Sequence, residues 1–157
     1  MKVALLAVVI VGIAAGLAIP TARPVAVAPA SAAPADTPVA TVIDRAASGH
    51  FLAVADVNEE PIRFVVDTGA DIVALTQEDA RRAHVDFDPL AFDVIGHGAS
   101  GEVRGQEVRI ESIVLDGKRA SNVHGVVLEG GEVSLLGQSY LRHIANVQIQ
   151  GDTMTLR

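Results

Sequence analysis

The sequence predicts a mostly-β domain with one or two short helices, preceded by an apolar N-terminal segment. Three observations carry this. Two short β-branched and aromatic runs, Phe64-Val65-Val66 and Ile72-Val73-Ala74-Leu75, flank the polar turn Asp67-Thr68-Gly69-Ala70-Asp71, as two buried strands around a tight loop would. Beyond Thr41 the chain breaks into short apolar segments separated by Asn, Asp, Gly and Pro, which punctuate strands. The composition is rich in Val, Ile and Ala with only 3% aromatic residues, suiting a small β-rich core.

The 157 residues carry 12 Lys+Arg against 19 Asp+Glu, a formal net charge of -7. An acidic chain without a basic stripe is a poor nucleic-acid binder. There is no cysteine, which excludes disulfides, thiol catalysis and Cys-based zinc sites. The five histidines, His50, His84, His97, His124 and His143, show neither His-x-x-x-His nor Glu-x-x-His spacing, so no metal is expected. No Gly-x-Ser-x-Gly elbow is present, which disfavours a serine hydrolase of that type.

Taken in order, residues 1–19 read as a membrane anchor or a signal segment. Val3 to Ile19 is uncharged, and about 17 residues lies at the short limit for spanning a bilayer. Ala30-Ser31-Ala32 and Ala26-Val27-Ala28 offer the small residues of a cleavage site, so removal of the segment stays open. Both readings export the rest. Residues 20–40, rich in Ala, Pro, Val, Ser and Thr, read as an extended linker. The domain is expected over residues 41–157.

Within it, His50 to Val57 and Ile62 to Val66 read as strands joined by a turn at Asn58-Glu59-Glu60-Pro61. This hairpin is expected to deliver Asp67 to a sheet edge. A carboxylate on such rigid supports is costly unless it is hydrogen-bonded or put to use. Ile72 to Leu75 is the next strand. Thr76 to His84 reads as a short helix capped by Thr76, with Glu78 and Asp79 early and Arg81, Arg82 and His84 late. These charges read mainly as helix-end electrostatics. Phe92 to Ile95 and Val103 to Ile110 are expected to form a hairpin around the glycine-rich tip Gly96-His97-Gly98-Ala99-Ser100-Gly101. Such a tip is mobile and by itself reads as an ordinary exposed turn. Val108 to Leu115 and Val123 to Leu128 read as strands around an Asp116-Gly117 turn. Val133 to Leu136, a short helix over Gln138 to His143, and a final hairpin of Ala145 to Gln150 with Thr153 to Leu156 complete the chain.

Asp67-Thr68-Gly69-Ala70, preceded by Phe64-Val65-Val66, resembles the active-site signature of the aspartic proteases, most closely the single-lobe, retropepsin-like (clan AA) branch and its bacterial membrane-anchored group. Leu135-Leu136-Gly137-Gln138-Ser139-Tyr140-Leu141 is similar to that family's late hydrophobic-hydrophobic-Gly segment. The resemblance runs from about Ser48 to Arg157. It implies a retropepsin-like single-lobe acid-protease barrel. It also implies an aspartic endopeptidase with Asp67 catalytic, Thr68 and Gly69 supporting the active-site loop, and Leu135, Leu136 and Gly137 packed beside it. Ala70 and Asp71 would line the substrate groove, unless Asp71 only pairs with an Arg. Gly96, His97, Gly98 and Ala99 would form a flap over the substrate. They depart from the Thr-Ala-Asn-Gly-like segment frequent in the bacterial group.

Aspartic proteolysis needs two carboxyls sharing a water, one of them protonated. The chain carries one Asp-Thr-Gly, so a homodimer with a two-fold axis is expected to bring Asp67 against its copy. The further expectations are a protein or peptide substrate, no cofactor, and a membrane contact through the N-terminal helix. By resemblance, the location is the inner membrane, single-pass, with the domain on the periplasmic side. The rival expectation is a tethered peptide-binding or assembly module that keeps the fold without turnover.

Overall fold

The computed structural model describes residues 37–98 and 101–157, with backbone alone at His97 and Gly98. The expected membrane segment, nearly all of the linker, and Ala99 and Ser100 lie outside them. Among the described residues no helix is long and apolar enough to cross a membrane.

Among the described residues, ten strands and two short helices follow one another: β1 (Thr41–Asp44), β2 (Leu52–Val57), β3 (Glu60–Val66), β4 (Val73–Leu75), α1 (Gln77–Arg82), β5 (Asp93–Gly98), β6 (Gly101–Leu115), β7 (Lys118–Leu128), β8 (Ser134–Leu136), α2 (Gln138–Leu141), β9 (Val147–Gln150) and β10 (Thr153–Leu156). The larger sheet runs β2-β3-β8-β4-β7-β6-β5, and β2 also pairs with β6. Six strands thereby close into a small barrel, and β5 extends it beyond β6. This is the mostly-β, single-lobe barrel the sequence predicts. A second sheet runs β1-β10-β9.

Alternation builds the core. Ile62, Phe64 and Val66 of β3 point inward with Val57, Leu75, Ile110, Ile113 and Leu136, as a period of two requires. The β2–β3 turn is tighter than the sequence suggests. Asn58 and Glu59 both take positive φ, 49° and 73°, a two-residue hairpin turn, so pairing resumes at once with Val57 opposite Glu60. Asn58 also ties β6 and α1 together, accepting from the Ser112 N–H at 3.0 Å and donating to the Ala83 carbonyl at 2.9 Å.

Strand β6 is one strand of 15 residues, where the sequence reads as two overlapping segments. The reason is a change of phase. Val108 and Ile110 are buried, then Ile113 and Leu115. On β7 burial likewise passes from Ala120 to Val123, across Asn122 with φ 53°. The register is the same on both sides of this point, and β6 pairs with β5 through its first part and with β2 through its last.

A second departure concerns Asp67. Strand β3 is not at a sheet edge but lies between β2 and β8. The catalytic candidate therefore follows the end of an interior strand, whose neighbours on both sides hold it.

Where the described chain begins, a buried polar cluster fastens it. Lys118 Nζ donates to the Val39 carbonyl and to Thr41 Oγ1, the latter at 2.8 Å. Thr41 Oγ1 in turn donates to the Asp116 carboxylate. The Tyr140 hydroxyl donates to the Lys118 carbonyl at 2.7 Å. Burial lowers the Lys118 pKa, opposed by the nearby Asp116 charge, and burial pushes the Tyr140 phenol up.

Candidate active site

Asp67 follows β3 and begins a turn that its own side chain closes. Asp67 Oδ1 accepts the Gly69 N–H at 2.9 Å, and the Asp67 carbonyl accepts the Ala70 N–H at 3.3 Å. This is the local loop that Asp forms readily. Asp67 is half-buried, while Thr68, Gly69 and Asp71 are exposed. One carboxylate oxygen is thus held by the backbone, and the turn itself stands open.

The segment after β8 supports this loop from beneath. The Asp67 N–H donates to the Leu136 carbonyl at 3.2 Å, the Gln138 N–H to the Ala70 carbonyl at 2.8 Å, and the Ser139 N–H to the Asp71 carbonyl at 3.0 Å. Gln138 Nε2 reaches the Thr68 carbonyl at 2.9 Å. Gly137 lies where no side chain fits: a Cβ there would fall 2.8 Å from the Ala70 carbonyl oxygen and closer still to that of Ile72. The glycine is needed for close approach, not for an unusual φ.

Two buried hydroxyls hold the far arm of the loop. Ser139 Oγ accepts the Val73 N–H at 2.9 Å. Ser134 Oγ accepts the Thr76 N–H at 3.1 Å and donates to Asp79 Oδ2 at 2.6 Å. Thr76 caps α1 as its sequence suggests, accepting the Asp79 N–H at 3.0 Å. Strand β4 is therefore fixed at both ends by serines of the β8–α2 segment. Sequence reasoning did not single out Ser134, Gln138 or Ser139 as supports. A serine has no pattern that announces such a bond; only the adjacency of Gly137 hinted at one.

The structure thus joins Asp67 to Leu136, Thr68 and Ala70 to Gln138, and Asp71 to Ser139 by hydrogen bonds, with Gly69 bonded to Asp67 and Gly137 set against the Ala70 and Ile72 carbonyls. Leu135 stands beside Val65 and Ala74 in the sheet. Asp71 makes no ion pair among the described residues; its carbonyl, not its carboxylate, is engaged. Gly96, His97 and Gly98 lie on a separate hairpin, with Gly96 opposite Val103, His97 opposite Glu102 and Gly98 opposite Gly101. A register shift falls between Val94 and Gly96. Among the described residues no hydrogen bond ties this hairpin to the Asp67 turn, and Ala99 lies outside them.

Beside the strand that ends at Asp67 lies an open groove of about 490 Å³ lined by Leu52, Phe64, Val65 and Val133, with His50, Arg63, Glu78 and Glu132 also bordering it. Leu52, Val65 and Leu135 form one cross-strand row, and the groove's lining stops short of the Asp67 turn. Arg81 and Arg82 are engaged locally, Arg81 with Gln77 and the Phe87 ring, and Arg82 with Asp79 and the Pro61 carbonyl. That is the helix-end role read for them in the sequence. Among the described residues no three of His, Asp and Glu gather as a metal site would require.

Comparison with known proteins adds to this geometry. Residues 53–143 match the model of the family described as "gag-polyprotein putative aspartyl protease". An uncharacterized protein of Rickettsia prowazekii (strain Madrid E) is 36% identical over 116 residues, covering 73% of this chain and 50% of that protein. An uncharacterized protein of Sinorhizobium sp, from the cobV 5' region, is 33% identical over 118 residues, covering 74% and 51%. The chain spans about half the length of these curated relatives. Among solved structures, a retropepsin-like aspartic protease from Rickettsia conorii superposes with a TM-score of 0.66 at 35% identity, covering 76% of this chain and 100% of that one. The EIAV protease, solved with the inhibitor HBY-793, shares the fold at a TM-score of 0.52 and 19% identity, covering 64% and 93%.

Proposed function

The chain belongs to the retropepsin-like aspartic proteases, a family of aspartic-type endopeptidases, and on that premise we propose that it cleaves peptide bonds as a homodimer with one Asp67 from each copy. The observation that carries this is the held, open carboxylate: Gly69 N–H occupies Asp67 Oδ1 and leaves the other oxygen for a water. With one Asp-Thr-Gly per chain, the second acid comes from a second copy across a two-fold axis.

The chemistry follows from two carboxyls sharing one proton. The ionised Asp67 takes a proton from the water as its oxygen attacks the scissile carbonyl carbon. The protonated Asp67 of the other copy donates to the carbonyl oxygen, giving a neutral tetrahedral diol. Collapse of the diol breaks the C–N bond as the amine nitrogen accepts a proton, and one carboxyl regains the shared proton. Thr68 bonds across the axis, Gly69 permits close approach, and Ala70 and Asp71 border the substrate cleft formed between the two copies. The row of Leu52, Val65 and Leu135 suits apolar substrate side chains near the cut. The β5–β6 hairpin serves as a flap that excludes water.

The proposal extends to place. The apolar Val3 to Ile19 anchors the chain in the inner membrane, with the domain on the periplasmic side and exported or membrane-associated proteins as substrates. Cleavage of a peptide library by the chain, wild type against Asp67→Asn over a dilution series, tests the activity. Cutting that disappears in the variant and falls faster than linearly on dilution supports the dimeric dyad. A folded chain that binds peptides and never cuts them would instead be a tethered binding module.

A further inference from the structure

We propose that the domain rests on an anionic lipid surface through a basic face beside Pro38; the proposal rests on the membrane-anchored reading above. A small pocket of about 260 Å³ lies there, with Lys118, Arg119, His143 and Arg157 around Pro38 and Ile144. Every titratable side chain of that lining is basic, in a chain whose formal net charge is -7. Arg119, His143 and Arg157 are exposed, and so is Arg142, which precedes His143. From Val133 to Gly151 the sequence contains no Asp or Glu. The Lys118 ammonium is engaged inward, with the Val39 carbonyl and Thr41, so the three arginines carry the patch. Arg119 marks its margin, since it also borders a groove that holds Glu59 and Glu111.

Charge and position select lipid as the occupant. An acidic domain is repelled by an anionic surface, so a face free of acids is the one that can meet it. Thr37 and Pro38 open the described chain, and Pro38 lines the pocket. The sequence before them runs through residues 20–36, with Arg23 and Asp36 as its only charges, to the uncharged Val3–Ile19. A tether of that length keeps this face near the surface that its anchor enters. Contacts too weak to bind alone then suffice. Basic residues beside a membrane anchor are held by anionic headgroups in this way.

Docking there also aims the active site. At the start of α2, the Gln138 and Ser139 N–H groups hold the Ala70 and Asp71 carbonyls of the Asp67 loop. Arg142 is the C-cap of the same helix. The patch thus begins one helical turn from the segment that supports the acid. A surface that holds Arg142 and His143 fixes the direction in which the Asp67 turn faces, and favours substrates presented at the membrane.

The test uses the full chain in lipid nanodiscs. The chain has no cysteine of its own, so Ala145→Cys, in the pocket lining, takes a bimane label, and the exposed Ala91→Cys takes it as a control. The discs contain a headgroup-nitroxide quencher, in phosphatidylcholine alone or mixed with phosphatidylglycerol. Stronger quenching at Ala145→Cys in the anionic discs, lost at high salt and absent at Ala91→Cys, supports the proposal. Each arginine near an anionic surface is worth roughly fivefold in occupancy. Adding Arg142→Gln and Arg157→Gln should therefore return the signal to its neutral-disc level, with cleavage of a soluble peptide unchanged. Equal quenching in both discs overturns the proposal while the anchor stands. Shielding of the label that is equal in both discs and rises with protein density assigns the face to a second copy, and also overturns it. A chain that fails to enter neutral discs overturns the anchored reading; the same label, with vesicles of the same two compositions, then decides the face.

Discussion

Two polar clusters in this molecule are built in opposite ways. Around Asp67 the turn is held mainly by backbone bonds to Leu136, Ala70, Gln138 and Ser139, with the Asp67 and Gln138 side chains each bonding the backbone as well, and the loop they hold is largely open to solvent. Around Lys118 the bonds come from side chains, Lys118, Thr41, Asp116 and Tyr140, and Lys118, Thr41 and Tyr140 are buried. The difference teaches what each can tolerate. A loop shaped by backbone keeps its geometry when a side chain is changed, so the acid can be altered alone. A buried side-chain cluster loses stability with any member, because a partner is left unpaired.

The sharpest break in this comparison is Asp67→Asn. The amide oxygen can still accept the Gly69 N–H, so stability should move by no more than about 0.5 kcal/mol. Activity should fall by roughly 10²–10⁴-fold, the range for losing a general acid or base. Peptide cleavage beside a thermal melt checks both.

Next comes Gly137→Ala, which attacks the loop through its backbone support. The added methyl would press on the Ala70 and Ile72 carbonyls at a cost of about 3 kcal/mol. Stability and cleavage should fall together here, where Asp67→Asn separates them. Denaturant melts alongside kcat show whether they do.

Tyr140→Phe probes the other cluster. Loss of the hydroxyl should cost about 1–2 kcal/mol, with cleavage per dimer unchanged. The pH dependence adds a sign. Tyr140 is raised above its ordinary 10.0, so above that pH the folded chain keeps a proton the unfolded chain loses, and stability falls as pH rises. Lys118 is lowered below 10.5, so the unfolded chain holds the extra proton and stability rises with pH up to that value. Melts between about pH 9 and pH 11 should show Tyr140→Phe removing the falling contribution, and leaving the rising one. The smallest effect is Thr76→Ala, which removes the α1 cap and should cost about 1 kcal/mol by the same melts.

Much of this arrangement was legible in the residues. Alternation located β2, the apolar run before Asp67 located β3, Gly151-Asp152 marked the final hairpin, and Thr76 announced its helix. Asp-Gly marked the β6–β7 turn, and the Asp-Thr-Gly turn with its Leu-Leu-Gly neighbour pointed to one site. What escaped was set by tertiary pairing. The phase change at Glu111 and Asn122 made one long strand look like two. The interior position of β3 depends on β8, which arrives about 70 residues later and pairs in parallel, so no local pattern encodes it. The supporting bonds of Ser134 and Ser139 are likewise made across the sheet.

The central claim is that each active site draws one Asp67 from each of two copies. Mixing wild-type chain with Asp67→Asn at fixed total concentration, well above the dimer dissociation constant, tests it most directly. A shared dyad predicts activity that follows the square of the wild-type fraction, roughly one quarter at equal parts, because mixed dimers lack one acid. Activity that falls in simple proportion, to about one half, would mean that each chain works alone, and would contradict the account.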